Sequence, residues 1–94
     1  MDDEKILELL KIDLGIMNDT YDKLLAAQIS AARDYIAEEG IALDMSSNGD
    51  AYTLVMYAAW LYKKRESSEG MPRMLRRRLN NRIYGRRRDR STDA

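Results

Sequence analysis

The sequence predicts an all-α fold: a small bundle of about four helices, over residues 3–14, 21–39, 51–67 and 72–84, followed by a mobile basic tail. Three observations predict it. Apolar residues recur at spacings of three and four along most of the 94-residue chain, which places them on one stripe of a helix. Residues that start or stop helices fall at the edges of those stretches. The alternating, β-rich runs that a hairpin needs are missing on both sides of Asn48-Gly49. A chain of this length forms one domain, here residues 1–85, with residues 86–94 an arginine-rich flexible segment beyond it.

The first helix is read from Ile6, Leu9, Leu10 and Leu14, which follow one buried stripe. Asp2, Asp3 and Glu4 suit the positive end of its dipole, and Gly15 stands where a left-handed residue stops a helix. Asn18, Asp19 and Thr20 are three N-cap candidates in a row for the second helix. That helix presents Leu25, Ile29, Ala32 and Ile36 on one face, with Tyr21, Leu24, Gln28 and Tyr35 beside it, and ends at Gly40. Its alanines, Ala26, Ala27, Ala31 and Ala32, favour helix and permit close approach of a neighbour. Residues 46–50, Ser-Ser-Asn-Gly-Asp, form a loop whose Asp50 caps the third helix. The preceding Ile41-Ala42-Leu43 is either an anchor that tucks the loop against the core or one more helical turn.

The third helix is apolar nearly all round over its first twelve residues, and such a helix must be buried on several sides. Two amphipathic neighbours leave part of that circumference uncovered, which marks Tyr52, Met56, Tyr57 and Trp60 as a candidate subunit interface. The alternative is a core helix wholly wrapped by its own chain. Pro72 suits the first turn of the fourth helix, where Met74, Leu75, Leu79 and Ile83 have helical spacing and arginines occupy much of the remaining surface.

Composition removes most chemistry. With no Cys and no His, the chain has no disulfide, no thiol nucleophile, no imidazole base and no zinc site of ordinary type. The glycines are dispersed rather than gathered in a phosphate-cradling loop. Adjacent carboxylates such as Glu38-Glu39 diverge on a helix instead of converging on one atom. The expectation is a protein without catalytic residues, cofactor or metal. The acidic start, Met1-Asp2-Asp3-Glu4, is unlike a secretory signal. The longest apolar run, residues 51–62, falls short of the roughly 20 residues that span a bilayer, so no membrane partner is expected.

Charge is segregated. Residues 1–50 hold 12 Asp/Glu against 4 Lys/Arg, residues 51–94 hold 4 against 12, and the net charge is zero. A chain polarised in this way attracts an anionic partner through its second half, or copies of itself arranged so that opposite signs meet; alternatively, its own two halves neutralise each other. Nine arginines lie between positions 73 and 90, and arginine makes bidentate contacts with carboxylates and phosphates that lysine does not reproduce. Arg73, Arg76, Arg77, Arg78, Arg82, Arg86, Arg87 and Arg88 are therefore the candidate anion-docking residues. Tyr84 is the one aromatic residue among them, which disfavours stacking on single-stranded bases.

Several segments carry a family resemblance: Ile6-Leu7-Glu8-Leu9-Leu10-Lys11-Ile12-Asp13-Leu14-Gly15-Ile16, then Asp22-Lys23-Leu24-Leu25 and Ala31-Ala32-Arg33-Asp34-Tyr35-Ile36, then Ala58-Ala59-Trp60-Leu61-Tyr62-Lys63-Lys64-Arg65, and finally Met71-Pro72-Arg73-Met74-Leu75-Arg76 with Leu79-Asn80-Asn81. In order and spacing, from Lys5 to Tyr84, they resemble the small head–tail connector (adaptor) proteins of long-tailed bacteriophages and prophages, sometimes labelled DNA-packaging proteins. The resemblance implies a non-catalytic structural protein of the virion neck, assembled from host cytoplasm as a homo-oligomeric ring of about a dozen copies. Such a ring sits beneath the portal protein, receives the next neck or stopper protein and extends the channel for packaged double-stranded DNA, which passes without sequence-specific recognition. It also implies that the basic segment docks on the portal. The arginine density at positions 86–90 departs from the family's pattern. The alternative function is a small nucleic-acid-binding protein that uses the arginine-rich C-terminal segment.

Overall fold

A carboxylate begins the first helix. Asp2 accepts a hydrogen bond from the Lys5 backbone N–H at 2.9 Å, which satisfies one of the unpaired donors of the first turn. The computed structural model describes the backbone of residues 2–68 and 70–93, and side chains up to Ile83. It contains four helices in order, α1 (Asp3–Leu14), α2 (Asp22–Glu38), α3 (Asn48–Lys64) and α4 (Arg73–Asp93), with no strand among the described residues. The fold is all-α, as the periodicity predicts.

Two helices end in the same way. Gly15 lies at φ 72° and Gly40 at φ 83°, where a Cβ is strained. At Gly15 the N–H reaches the Ile12 carbonyl and the Ile16 N–H reaches that of Lys11; at Gly40 the N–H reaches Ala37 and the Ile41 N–H reaches Ile36. Each pair is a Schellman closure. The second one turns the chain so that Ile41, 5% exposed, enters the core. Ile41-Ala42-Leu43 is thus the anchor of the two readings, not a helical turn.

The starts of α2 and α3 differ from expectation. None of Asn18, Asp19 and Thr20 caps α2, which begins after Tyr21 without a side-chain cap. Asn18 instead accepts from the Thr20 N–H, an Asx turn, and Asp19 holds Lys11 at 2.8 Å. Lys11 also lies 3.0 Å from Asp22, so this lysine joins the last turn of α1 to the first of α2. Both carboxylates raise the Lys11 pKa, and Lys11 lowers that of Asp19. α3 starts three residues before the expected Ala51, because Ser47 rather than Asp50 is the N-cap. Asp50 turns inward.

α2 and α3 form the main packing surface, and α1 lies against both. The stripe Leu25, Ile29, Ala32 and Ile36 is buried as its spacing predicts, together with Ile6 and Leu10 of α1. Buried side chains of this kind contribute roughly 1.5–3 kcal/mol each. Of the α2 alanines only Ala32 is buried; the small residues that allow close approach are chiefly Ala51, Ala58 and Ala59 of α3. α3 supplies the largest share of the core, with Leu54, Val55 and Tyr57 among its buried residues. Its Thr53 hydroxyl donates to the Gly49 carbonyl at 2.9 Å, which satisfies a polar group that is 2% exposed.

α4 packs along α3 through Leu75 and Leu79, both fully buried. Met74, expected on the same apolar stripe, is 67% exposed. The reason is angular: at about 100° per residue, Met74 lies well over a quarter-turn from the bisector of Leu75 and Leu79. The α4 backbone runs on past Gly85 to Asp93, beyond the expected end at residue 84 and into the segment read as a tail. The side chains of Arg86, Arg87 and Arg88 lie outside the described residues.

Candidate functional site

The five described arginines of α4 divide by angle. Leu75 and Leu79 point into the bundle, so Arg76 falls on one flank of the helix, Arg78 and Arg82 on the other, and Arg73 and Arg77 on the outer face. The contacts agree with that division. Arg76 Nη2 donates to Glu39 Oε1, just past the end of α2. On the opposite flank Arg82 Nη2 lies 3.0 Å from Asp50 Oδ2 and donates to the Ala42 carbonyl at 2.9 Å. Arg78 makes a long contact, 3.4 Å, with the Gly49 carbonyl.

Asp50 is the centre of the second flank. It is 7% exposed, and Oδ2 also accepts from the Asp44 N–H at 2.8 Å. Asp44 in turn accepts from both the backbone N–H and the hydroxyl of Ser46, which hold its carboxyl below the ordinary range. A chain of charge-assisted bonds therefore fixes the loop at 41–47 to the start of α3 and to α4. Arg76 and Arg82, read from the sequence as docking residues, are fasteners of α4 on its own bundle.

Arg73 and Arg77 have no carboxylate partner among the described residues. With Met71, Arg76, Asn80 and Asn81 they line a shallow depression of about 470 Å³, and Met74 lies exposed beside it. This outer face presents two guanidinium groups without a carboxylate partner among the described residues, amide donors and two thioethers. It suits an anionic surface that also offers an apolar spot.

The candidate interface residues of α3 separate likewise. Tyr57, 6% exposed, belongs to the core: it stacks on Tyr35 with ring centroids 6.2 Å apart and meets the edge of Trp60 at 5.5 Å. Burial, with Glu39 nearby, raises its pKa. Tyr57 is thus not available to a neighbour, because α2 and α3 already enclose it. Met56 and Trp60 are half-buried beside a 240 Å³ depression shared with Asp13, Lys63, Lys64, Pro72 and Leu75, and Lys64 lies 4.9 Å over the Trp60 ring. Tyr52 is 49% exposed.

Two residues central to this arrangement, Glu39 and Asp50, carried signals of a different kind. A carboxylate at the C-terminal end of a helix opposes the dipole, and Glu39 there asks for a cation. Asp50 looked like a cap, and only the approach of Arg82 distinguishes its role. Comparison of the chain with family models, with curated proteins and with solved structures returns no match. Among the described residues no helix is long and apolar enough to cross a membrane.

Proposed function

We propose that this chain is a structural, non-catalytic subunit of a head–tail connector ring, seated between a phage or prophage portal and the next neck protein, where it extends the channel for packaged double-stranded DNA. The observation that carries the reading is the outer face of α4. Arg73 and Arg77 lie on one side of the exposed Met74 and have no internal counter-charge among the described residues, on a helix whose Arg76 and Arg82 are held by the chain itself. Unpaired guanidinium groups next to an exposed apolar side chain suit a protein surface of opposite sign. The resemblance of residues 5–84 to connector subunits supports the same role, as does the net charge of opposite sign in the two halves. The virion neck is the proposed location, reached from host cytoplasm during assembly.

Sedimentation velocity over a range of concentrations, with negative-stain imaging of the heavy fraction, tests this. Annular particles with an open centre are the expected result; a chain that stays monomeric at every concentration and on a purified cognate portal overturns it. The second reading, a nucleic-acid-binding protein, has one observation in its favour: Arg73, Arg77, Asn80 and Asn81 line one depression with donors suited to phosphate. Its mark is duplex binding with a steep salt slope that Arg73→Ala with Arg77→Ala flattens.

A further inference from the structure

A second surface is complementary to the outer face of α4. α1 and α2 leave a groove of about 430 Å³ between them, lined by Asp3, Glu4, Leu7, Ala26, Ile29, Ser30 and Arg33. Leu7, Ala26 and Ile29 supply its apolar part. On the rim Arg33 is already held by Asp3, which leaves Glu4 without a cationic partner among the described residues, and Glu8, one turn along the same face of α1, likewise. The groove is thus apolar at its base and anionic at its edge. The α4 face is its converse, an exposed methionine with the arginines at positions 73 and 77, which have no carboxylate partner among the described residues, side by side along one edge of it.

The two surfaces cannot meet within one chain. Ser30 lines the groove, whereas Glu39, the residue just past the end of the same helix, holds α4 through Arg76. α4 packs chiefly on α3, whereas the groove lies between α1 and α2. The groove and α4 therefore lie on opposite flanks of the bundle. Two complementary patches on opposite flanks make a heterologous contact, one that uses a different surface on each partner and propagates to a closed ring or an open filament rather than stopping at a dimer.

We infer that the α1–α2 groove of one copy receives the Arg73–Met74–Arg77 face of α4 from the next copy, with Met74 entering beside Leu7 and Ile29 and the two arginines meeting Glu4 and Glu8. The inference rests on the ring reading and assigns the surfaces that form the ring. It accounts for the exposure of Met74 and for the division of the α4 arginines into fasteners and free groups.

The chain has no cysteine, which allows a direct test. In the full chain, Leu7→Cys with Met74→Cys, oxidised at a concentration where the protein associates, gives a ladder of dimer, trimer and higher species on non-reducing gels. Each single-cysteine variant gives no ladder. As a second arm, Glu4→Arg with Glu8→Arg, or Arg73→Glu with Arg77→Glu, weakens self-association roughly tenfold or more, and mixing the two charge-reversed proteins restores pairing between them. Circular dichroism confirms that each variant is folded. Cross-linking that stops at dimer, or association untouched by both reversals, overturns the groove pairing and leaves the ring reading standing. A wild-type chain that stays monomeric under every condition overturns both.

Discussion

Arg82 allows the ion-pair chemistry of α4 to be measured apart from assembly. Replacing it by Ala removes the counter-charge of a carboxylate whose side chain is 9% exposed, while Arg82 itself is 44% exposed. Breaking a fully buried pair costs about 3–5 kcal/mol, and an exposed pair about 0–1 kcal/mol. A pair with one buried member, whose carboxylate keeps the Asp44 N–H, falls between them at about 2 kcal/mol. The Ala42 carbonyl, also released, is on an exposed residue and water replaces the lost donor. For a domain of this size that loss lowers Tm by roughly 8–16 °C. Urea denaturation followed by circular dichroism measures it as a lower midpoint at constant slope. Arg77→Ala, on the outer face, is the control and stays within about 0.5 kcal/mol of wild type. A cycle with Asp50→Asn assigns the coupling, expected at about 1–2 kcal/mol. If Arg82→Ala matches Arg77→Ala, or if the cycle shows no coupling to Asp50, the fastening role of Arg82 is refuted.

Leu54→Ala, at a fully buried site in α3, costs about 2–5 kcal/mol in the same urea assay. Two glycine substitutions have opposite signs: Gly15→Ala, at φ 72°, destabilises by about 1 kcal/mol, whereas Gly49→Ala, helical and 3.7 Å from the nearest atom a Cβ would meet, stabilises by about 0.4–1 kcal/mol. Tyr57 sets an alkaline limit. Its folded pKa is raised above the ordinary value near 10, so the unfolded chain ionises first, and stability that is whole at neutral pH is lost as the pH rises past the unfolded value. Thermal melts through that window fall more steeply for wild type than for Tyr57→Phe.

The stripe on α2 was fully legible because one surface of that helix is buried and every apolar residue on it lies within reach of the core. So were the two glycine stops, since a left-handed residue followed by an apolar one is a local signal. The N-terminal ends were not. Asn18, Asp19 and Thr20 all have capping chemistry, and the competition was settled by Lys11, which sits in another helix. For the arginines of α4 the sequence marks a class of residue and not which of them the fold engages. Arginine density marked α4 as a candidate for anion docking, but which guanidinium groups the chain itself engages depends on where Glu39 and Asp50 fall when the helices pack, and both come from distant parts of the chain. Tyr57 was misplaced for a related reason. An all-round apolar helix shows no outward face until its neighbours are in position, and Tyr35 covers Tyr57 from α2.

The placement of Asp50 also bears on the order in which the molecule is completed during synthesis. Its local acceptor duties are met early, through the N–H of Asp44, but the guanidinium that neutralises it belongs to a residue thirty-two positions later. Without α4 the interior lacks Leu75 and Leu79, and this acid lacks its cation. The last helix supplies both, through its two leucines and through Arg82. The helix that displays Arg73 and Arg77 is therefore the same one that completes the interior and neutralises the rim.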